Sequence, residues 1–439
     1  MKATRKLGLI VIVCVLLIYL LSVGCDSFLL HNTMQGEENY LSDVQLWEKV
    51  ISPYLQDPLW ISRDFYDAGH YLMVPLHAAF LFQNSDWQKQ FRDHFERFLS
   101  ASSAEIDLGR LNRLQYFYLI SRYFVLAGQE KSDFSHLEEL VETVEHEVVT
   151  LWIEEPAWQW AREPFLNMRD RVHWKLDNKT VEKSYYRAII DEELFVFAIA
   201  ADLSAFYHLS KKPVPPVVSD ILETAKKVFE QEGQWQVDGG WLFQPGVWTD
   251  HPDYIYAGQT RIVPGMAPYP VPGIAQDTSH SHRFPLWFIS LSGAYGDGDP
   301  EKEFYKNVRE GLARQFFNKV LVPPTHSFPG YRTTNFMDGW NGVYRYEYVT
   351  QGKGKGYGPY ELSGTLTLGW WTFLGGKEIR QVYQEMSKHF PMSPELLKIY
   401  VGPSTSRERH PLVSEEESYL NGFKELIVRL SGRIVAEKL

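Results

Sequence analysis

The densest cluster of chemically able side chains is Asp277-Thr278-Ser279-His280-Ser281-His282-Arg283, directly ahead of the apolar run Phe284-Pro285-Leu286-Trp287-Phe288. Proline is tolerated in a first helical turn and disfavours helix before it, so the cluster is expected to open a helix with Ser281 as its N-cap. There the macrodipole favours anions and keeps a histidine neutral, the form that can accept a proton. His280 and His282 are thus candidate bases, Arg283 a candidate clamp for an anionic group, and Asp277 a candidate ligand contact. If the segment is extended, the two imidazoles point the same way and could share a divalent metal; no other cofactor is implied. Beside both stands a plainer reading, two histidines that cap a helix and bond neighbouring loops. The expected place at a helix mouth predicts side chains that project away from the core, so that their removal spares the fold.

A second cluster runs Asn335-Phe336-Met337-Asp338-Gly339-Trp340-Asn341-Gly342-Val343-Tyr344-Arg345-Tyr346, preceded by His326 and Arg332. It gathers amides, a carboxylate, phenols and guanidinium groups in one stretch, and Arg332, Asp338, Trp340 and Arg345 are candidate ligand contacts. Asn341-Gly342 also fits the turn of a β-hairpin with Tyr344 and Tyr346 on one face. Asp67 and His70 fall with His77 on one helical stripe; the first two are candidate contacts and His77 reads as a core histidine. Glu361, a further candidate contact, follows the run Gly352-Lys353-Gly354-Lys355-Gly356-Tyr357-Gly358, which lacks the spacing of a phosphate-binding loop and reads as a flap. Neither a G-x-S-x-G elbow nor an H-E-x-x-H pair is present.

The elements that must position these groups are helices. Residues 64–84, 107–127, 188–210, 282–294 and 360–374 are apolar nearly all round, and each is followed by an amphipathic window: 86–101, 133–151, 216–232, 299–320 and 376–390. A sixth pair is expected from 393–401 and 414–436. Apolar-then-amphipathic order, repeated at irregular spacing, predicts an all-α fold, an α/α toroid of six hairpins or an incomplete one, rather than a short-period solenoid. Inner-to-outer links are short, whereas 152–187, 233–281 and 321–359 are very long. Loops of that length in a compact domain are usually functional, and in a toroid they emerge on one face. They hold Trp152, Trp158, Trp160, Trp174, Trp235, Trp241, Trp248 and Trp340, besides Tyr254, Tyr256, Tyr269, Tyr331 and Tyr348. Such rings can stack on sugar C–H faces, so Trp235, Trp241, Trp248 and Trp340 are candidate carbohydrate platforms; alternatively the loops need a private apolar core.

The 439 residues carry 44 basic and 55 acidic side chains, a net charge of −11, with no basic patch to suit nucleic acid. Both cysteines, Cys14 and Cys25, sit near the N-terminus, which excludes a disulfide framework or a cysteine nucleophile in the folded part. Residues 1–25 read as a targeting segment: Lys2, Arg5 and Lys6 precede the uncharged stretch Leu7 to Val23. Residues 26–60 read as linker and N-terminal helix, and 61–439 as the toroid domain. The ending Leu20-Leu21-Ser22-Val23-Gly24-Cys25 resembles a bacterial lipobox, with Ser22 where an aliphatic residue is usual. That resemblance implies acylation of Cys25 and retention at the periplasmic side of the inner membrane by Asp26; an uncleaved signal anchor is the alternative.

Tethered helical hairpins with an aromatic mouth and a His/Tyr/Arg/Asn set resemble the α/α-toroid polysaccharide lyases and their glycoside hydrolase relatives. The likeness is architectural over residues 60–400 and matches no single family by motif. It implies a polysaccharide or oligosaccharide substrate containing uronate. Asn341 or Arg283 would neutralise the carboxylate, His280 or His282 would remove the C5 proton, and Tyr344 or Tyr256 would protonate the leaving oxygen. The hydrolase relatives instead need two carboxylates flanking the bond, from Asp238, Asp250, Asp253, Asp277, Asp338 and Glu361. A glycan-binding protein of envelope polysaccharide export is the non-enzymatic alternative. Cys25→Ala is expected to block processing and leave the full precursor; a mass spectrum of the unaltered protein with intact Met1 and unmodified Cys25 would establish the anchor instead.

Overall fold

Along the chain, helices buried on every side alternate with helices that keep one charged face. The computed structural model describes residues 41–61, 64–101, 109–130 and 134–439; the targeting segment and Cys25 lie outside the described residues. Residues 46–439 form one compact unit. Of residues 1–45, only 41–45 are described, where Ser42 and Gln45 exchange hydrogen bonds at the start of a helical turn. The fold is mostly helical, and strand among the described residues is limited to two antiparallel ribbons. These are β1 (Gly233–Trp235) with β2 (Trp241–Phe243), and β3 (Leu321–Val322) with β4 (Arg332–Thr333). No helix among the described residues is long and apolar enough to cross a membrane.

The helices used below are α1 (Ser52–Gln56), α2 (Asp64–Tyr71), α3 (Met73–Leu81), α4 (Ser85–Leu99), α5 (Arg110–Glu130), α6 (Glu138–Val149) and α7 (Met168–Asp177). They continue with α8 (Asp191–Leu209), α9 (Pro216–Glu232), α10 (Phe284–Gly293), α11 (Pro300–Gln315), α12 (Gly376–Ser387), α13 (Pro394–Val401) and α14 (Phe423–Ser431). α4 shows how sequence makes an outer helix. Asn84 caps it by accepting from the Trp87 N–H, and Trp87, Phe91, Phe95 and Phe98 fall on its one buried stripe. α8 shows the other kind, with Leu194 to Leu203 buried without interruption.

Neighbouring buried elements touch in chain order: α2 with α5, α5 with α8, α8 with α10, and α10 with the turn Trp370–Leu374. The turn Ser363–Leu368 packs on α14, and α14 returns to α3. Each outer helix lies on its own inner partner: α4 on α3, α6 on α5, α9 on α8, α11 on α10 and α12 on Trp370–Leu374.

Four expectations need correction. The helix expected over 64–84 is interrupted at Leu72, three residues before Pro75, whose ring displaces the preceding turn. The fifth inner element is not an α-helix but two 3-10 turns joined at Gly369, whose φ of 81° is left-handed. A Cβ at Gly369 would come within 2.9 Å of both Ile427 and Val74, so the turn is set by close approach to α14 and α3. The sixth buried helix is α14, which packs on α12 and α3 and also meets the N-terminal segment Trp47–Ile51, whereas 393–401 packs on the turn Ser363–Leu368. Finally, the connection 152–187 is not wholly loop, because it contains α7, capped by Asn167.

His94 ties three elements: Nδ1 meets the Leu55 carbonyl at 2.7 Å and Nε2 the Tyr116 hydroxyl at 2.7 Å. Burial pushes its pKa down to about 3. The folded state therefore refuses a proton that the unfolded state takes up near pH ~6.5, so stability falls as pH drops from about 6.5 toward 3. One such histidine contributes a slope of about 1.4 kcal/mol per pH unit in that window. Urea unfolding across the window should show the decline, and His94→Gln should flatten it by about one proton's worth; an unflattened slope in His94→Gln would contradict this origin.

Candidate active site

The turn Thr278–Ser281 begins at Asp277, not at Ser281, and Asp277 is wholly buried. Its Oδ1 accepts from the backbone N–H groups of Ser279 (3.0 Å) and His280 (3.2 Å) and from the Ser279 hydroxyl. Its Oδ2 accepts from the Tyr254 hydroxyl at 2.5 Å and meets His280 Nδ1 at 2.7 Å. Burial works to raise the Asp277 pKa, but the His280 charge and hydrogen bond, with Arg345 and Ser279, outweigh it and hold the carboxyl well below the usual range. An ionised Asp277 fixes the His280 proton on Nδ1 and leaves Nε2 as the reactive nitrogen. Nε2 lies 4.0 Å from Asp191 Oδ2.

His280, a quarter exposed, opens on a cavity of about 410 Å³. Beneath it Arg283 is held on three sides. Nε donates to His70 Nε2 at 3.0 Å, Nη1 to Asp191 Oδ2 at 2.5 Å, and Nη2 to the Tyr66 hydroxyl at 3.2 Å. The Trp370 indole N–H fixes the His70 carbonyl at 2.9 Å. His282 sits in this floor, 5.7 Å from the His70 ring and 5.6 Å from Trp370 between centroids. Neither of its ring nitrogens has a hydrogen-bond partner of good geometry. Burial, then the charges of Arg283 and His280, push its pKa well down, so His282 stays neutral.

Of the sequence candidates, His280, His282, Arg283, Asp67, His70, Arg345 and Glu361 line this one cavity, and Asp277 reaches it through His280. His282 and Arg283 are buried, contrary to the expectation of free projection, because the floor they build is covered by neighbouring helices. Asn341 does not reach the cavity; its Oδ1 accepts from the N–H groups of Asn335 and Tyr360. Nor is Asn341-Gly342 a hairpin turn: a Cβ at Gly342 would overlap the Ala257 carbonyl, and that close approach is why glycine stands there. Tyr344 is buried among the loops, and Tyr256 packs on Tyr346. Asp338 accepts from the N–H groups of Ala275 and Trp340, while Arg332 lies over the Phe328 and Tyr360 rings.

The aromatic candidates mostly hold the loops together. Trp241 packs with Phe243, Phe284 and Phe288, and Trp248 stacks on Tyr254 at 5.3 Å. Trp340 spends its indole N–H on the Ala257 carbonyl, and Trp235 lies half exposed against Gly311. Residues from all three long connections share this core, including Trp160, Trp248, Tyr254, Phe336 and Tyr344. A second depression of about 440 Å³ is lined by Arg110, Arg113, Glu155, Trp158 and Glu192. Leu111, Asn112 and Asp191, adjacent to these in sequence, line the first cavity, and Trp158 keeps half its surface exposed.

Sequence reading missed Tyr66, Asp191, Tyr357, Arg407, Arg409 and Lys424, all on the cavity, and named Tyr348, also on it, only among the loop rings. Two signals were present. Asp191-Glu192-Glu193 is an acidic triplet opening an apolar helix, and Lys424 is a lone cation on the apolar side of α14. Glu193 anchors the 152–187 connection: Arg171 Nε donates to its Oε1 at 2.8 Å and Lys175 Nζ reaches its two oxygens at 2.7 and 2.9 Å. Among the described residues no three possible metal ligands converge.

Tyr254→Phe removes one donor from a buried, ionised carboxylate and should lower unfolding free energy by about 1.5–3 kcal/mol. Chemical denaturation measures this, and unchanged stability would show that Asp277 does not depend on the phenol. No family model matches the chain, and searches of curated proteins and of solved structures likewise return no match.

Proposed function

We propose that this protein is a membrane-tethered, extracytoplasmic lyase that cleaves a uronate-containing polysaccharide by β-elimination, and that its helices close into an α/α toroid. The toroid is supported by the succession of inner contacts, which runs from α2 through α14 and back to α3. The tether rests on the lipobox-like sequence ending at Cys25.

The observation that carries the chemistry is the Asp277–His280 pair opening on a cavity rich in cations. Arg283, Arg345, Arg407, Arg409 and Lys424 all line it. The four carboxylates that share the cavity are each engaged by the protein: Asp191 by Arg283, Asp67 by Arg409 at 3.7 Å, Glu361 by the Gly358 N–H and Glu415 by the Thr405 N–H. That balance favours an acidic sugar over the free carboxylate pair a hydrolase requires. His280 Nε2 would take the C5 proton, acidified when arginine neutralises the uronate carboxylate. Arg283 spends all three of its nitrogens within the protein, whereas Arg345 on the cavity wall spends its Nε on Asp253 Oδ2 at 2.8 Å, so Arg345 is the better neutraliser. Tyr66 replaces Tyr344 and Tyr256 as the phenol for the leaving oxygen, since it lies on the cavity and Arg283 donates to it. The adjoining depression with Trp158 suits further sugars of a polymer.

Incubation with a panel of acidic polysaccharides tests this reading. A lyase yields ultraviolet-absorbing unsaturated uronate ends; new reducing ends without that absorbance mark a hydrolase, and neither product marks a binder. His280→Ala should fold and lose at least about 100-fold in turnover, the usual size of a general acid–base contribution. Arg283→Ala should lose stability as well, because it leaves Asp191 without its cation. A fully active His280→Ala would remove histidine from the chemistry.

A further inference from the structure

Among the described residues, Lys424 is a buried cation of the cavity that no carboxylate meets at ion-pair distance. Its side chain is 4% exposed, in the first turn of α14, and it lines the cavity. The ammonium rests against the Tyr71 ring at 4.5 Å and the Tyr419 ring at 5.8 Å, and among the described residues no carboxylate lies within ion-pair distance. Asp67, the carboxylate that attracts it, sits 3.7 Å from Arg409 Nη1, which also donates to the Tyr71 hydroxyl at 2.8 Å. The other groups on this side are Arg407 and Glu415, the latter accepting from the Thr405 N–H. A helix N-terminus adds positive potential of its own, which disfavours an ammonium and favours an anion.

We propose that Lys424, with Arg409, forms an oxyanion subsite, and that a carboxylate or sulfate ester of the ligand supplies the counterion that Lys424 lacks. Taking this ligand to be an acidic glycan rests on the function proposed above, but the subsite itself does not require catalysis. Without an occupant, burial and the nearby Arg409 bring the Lys424 pKa down to about 7, against a weaker pull from Asp67. An anion binding there favours the charged lysine, so binding takes up a proton and tightens as pH falls through about 8 to 7. The cation–π faces of Tyr71 and Tyr419 hold the amine in place meanwhile.

Trace acetylation of the full chain, with each lysine's reactivity followed by mass spectrometry against pH, reads the Lys424 midpoint directly. Exposed Lys211 serves as the reference lysine. In sodium chloride the midpoint should lie near 7, and sodium sulfate or sodium glucuronate at equal ionic strength should raise it by about one unit, a tenfold preference of the anion for the charged form. Glucose should leave it unmoved. A response to sulfate alone identifies a sulfate ester as the ligand group, and a response to glucuronate alone identifies a carboxylate. Lys424→Met removes a buried charge, so it should fold and lose any rise of melting temperature with the effective anion, whereas Lys424→Arg should keep that rise. A midpoint like that of Lys211, or one that neither anion moves, overturns the subsite. If an anion moves it while no polysaccharide is cut, the subsite stands and the lyase reading falls; if polymer is cut while neither anion moves it, the reverse holds.

Discussion

A carboxylate with no access to water must find its donors inside the protein, and Asp277 sets that constraint on the whole mouth of this fold. Its partners come from separate stretches of chain: Tyr254 from the middle of one long connection, and Ser279 and His280 from the turn that enters α10. The same residue pairs by backbone with Phe336 of the next connection, and Thr278 N–H reaches the Asn335 carbonyl at 2.9 Å. The loops must therefore fold onto one another before Asp277 is satisfied. Once they have, His280 has a single orientation and a single tautomer. Loop packing and presentation of the imidazole are one event, to which the buried aromatics of the loops contribute by packing on one another.

Buried charge organises the neighbouring elements in the same way. Glu193 would rise in pKa through burial, yet Arg171 and Lys175 hold it lowered, and both reach it from α7. This clamp seats the 152–187 connection on the first turn of α8, two residues from Asp191. Asp191 in turn fixes Arg283, and Arg283 fixes His70 and Tyr66 on α2. Such pairs add little net stability over well-packed apolar residues, but losing one partner is costly because it strands the other charge. What they specify is position. A chain of buried charge pairs thus runs from a surface connection to the cavity floor.

Helices were legible in the sequence because burial leaves a periodic trace, as the stripe of Trp87, Phe91 and Phe95 or the unbroken run Leu194 to Leu203 shows. Their ends were less so. Gly369 breaks the fifth inner element because side chains of α14 and α3 (Ser431, Ile427 and Val74) crowd it, a fact about neighbours rather than about residues 360–374. A partner of α14, Trp47–Ile51, comes from the opposite end of the chain, which no local window can report. In the site, the cluster 277–283 was visible because polar residues seldom crowd ahead of an apolar run. Its division of labour was not: His280 and His282 differ only in which way a short turn points them. Likewise Trp241 and Trp248 have the composition of sugar platforms and the location of core residues, and composition alone carries no direction.

The buried cations of this protein divide by how their charge is answered. Arg171 and Lys175 share Glu193, Arg122 meets Asp202 at 2.6 Å, and Arg283 meets Asp191 at 2.5 Å. In each case removing the charge from water is offset within the protein, so the group is a finished structural joint and has nothing left to offer a ligand. Among the described residues Lys424 is answered at contact distance by two aromatic faces, which recover part of its lost hydration. The remainder is a standing cost, lowered when the amine gives up its proton or when an anion arrives. A cavity whose carboxylates are all engaged and whose least-answered group is a cation has its ligand's charge written into it. The satisfied pairs make the walls, and the unsatisfied one makes the site selective.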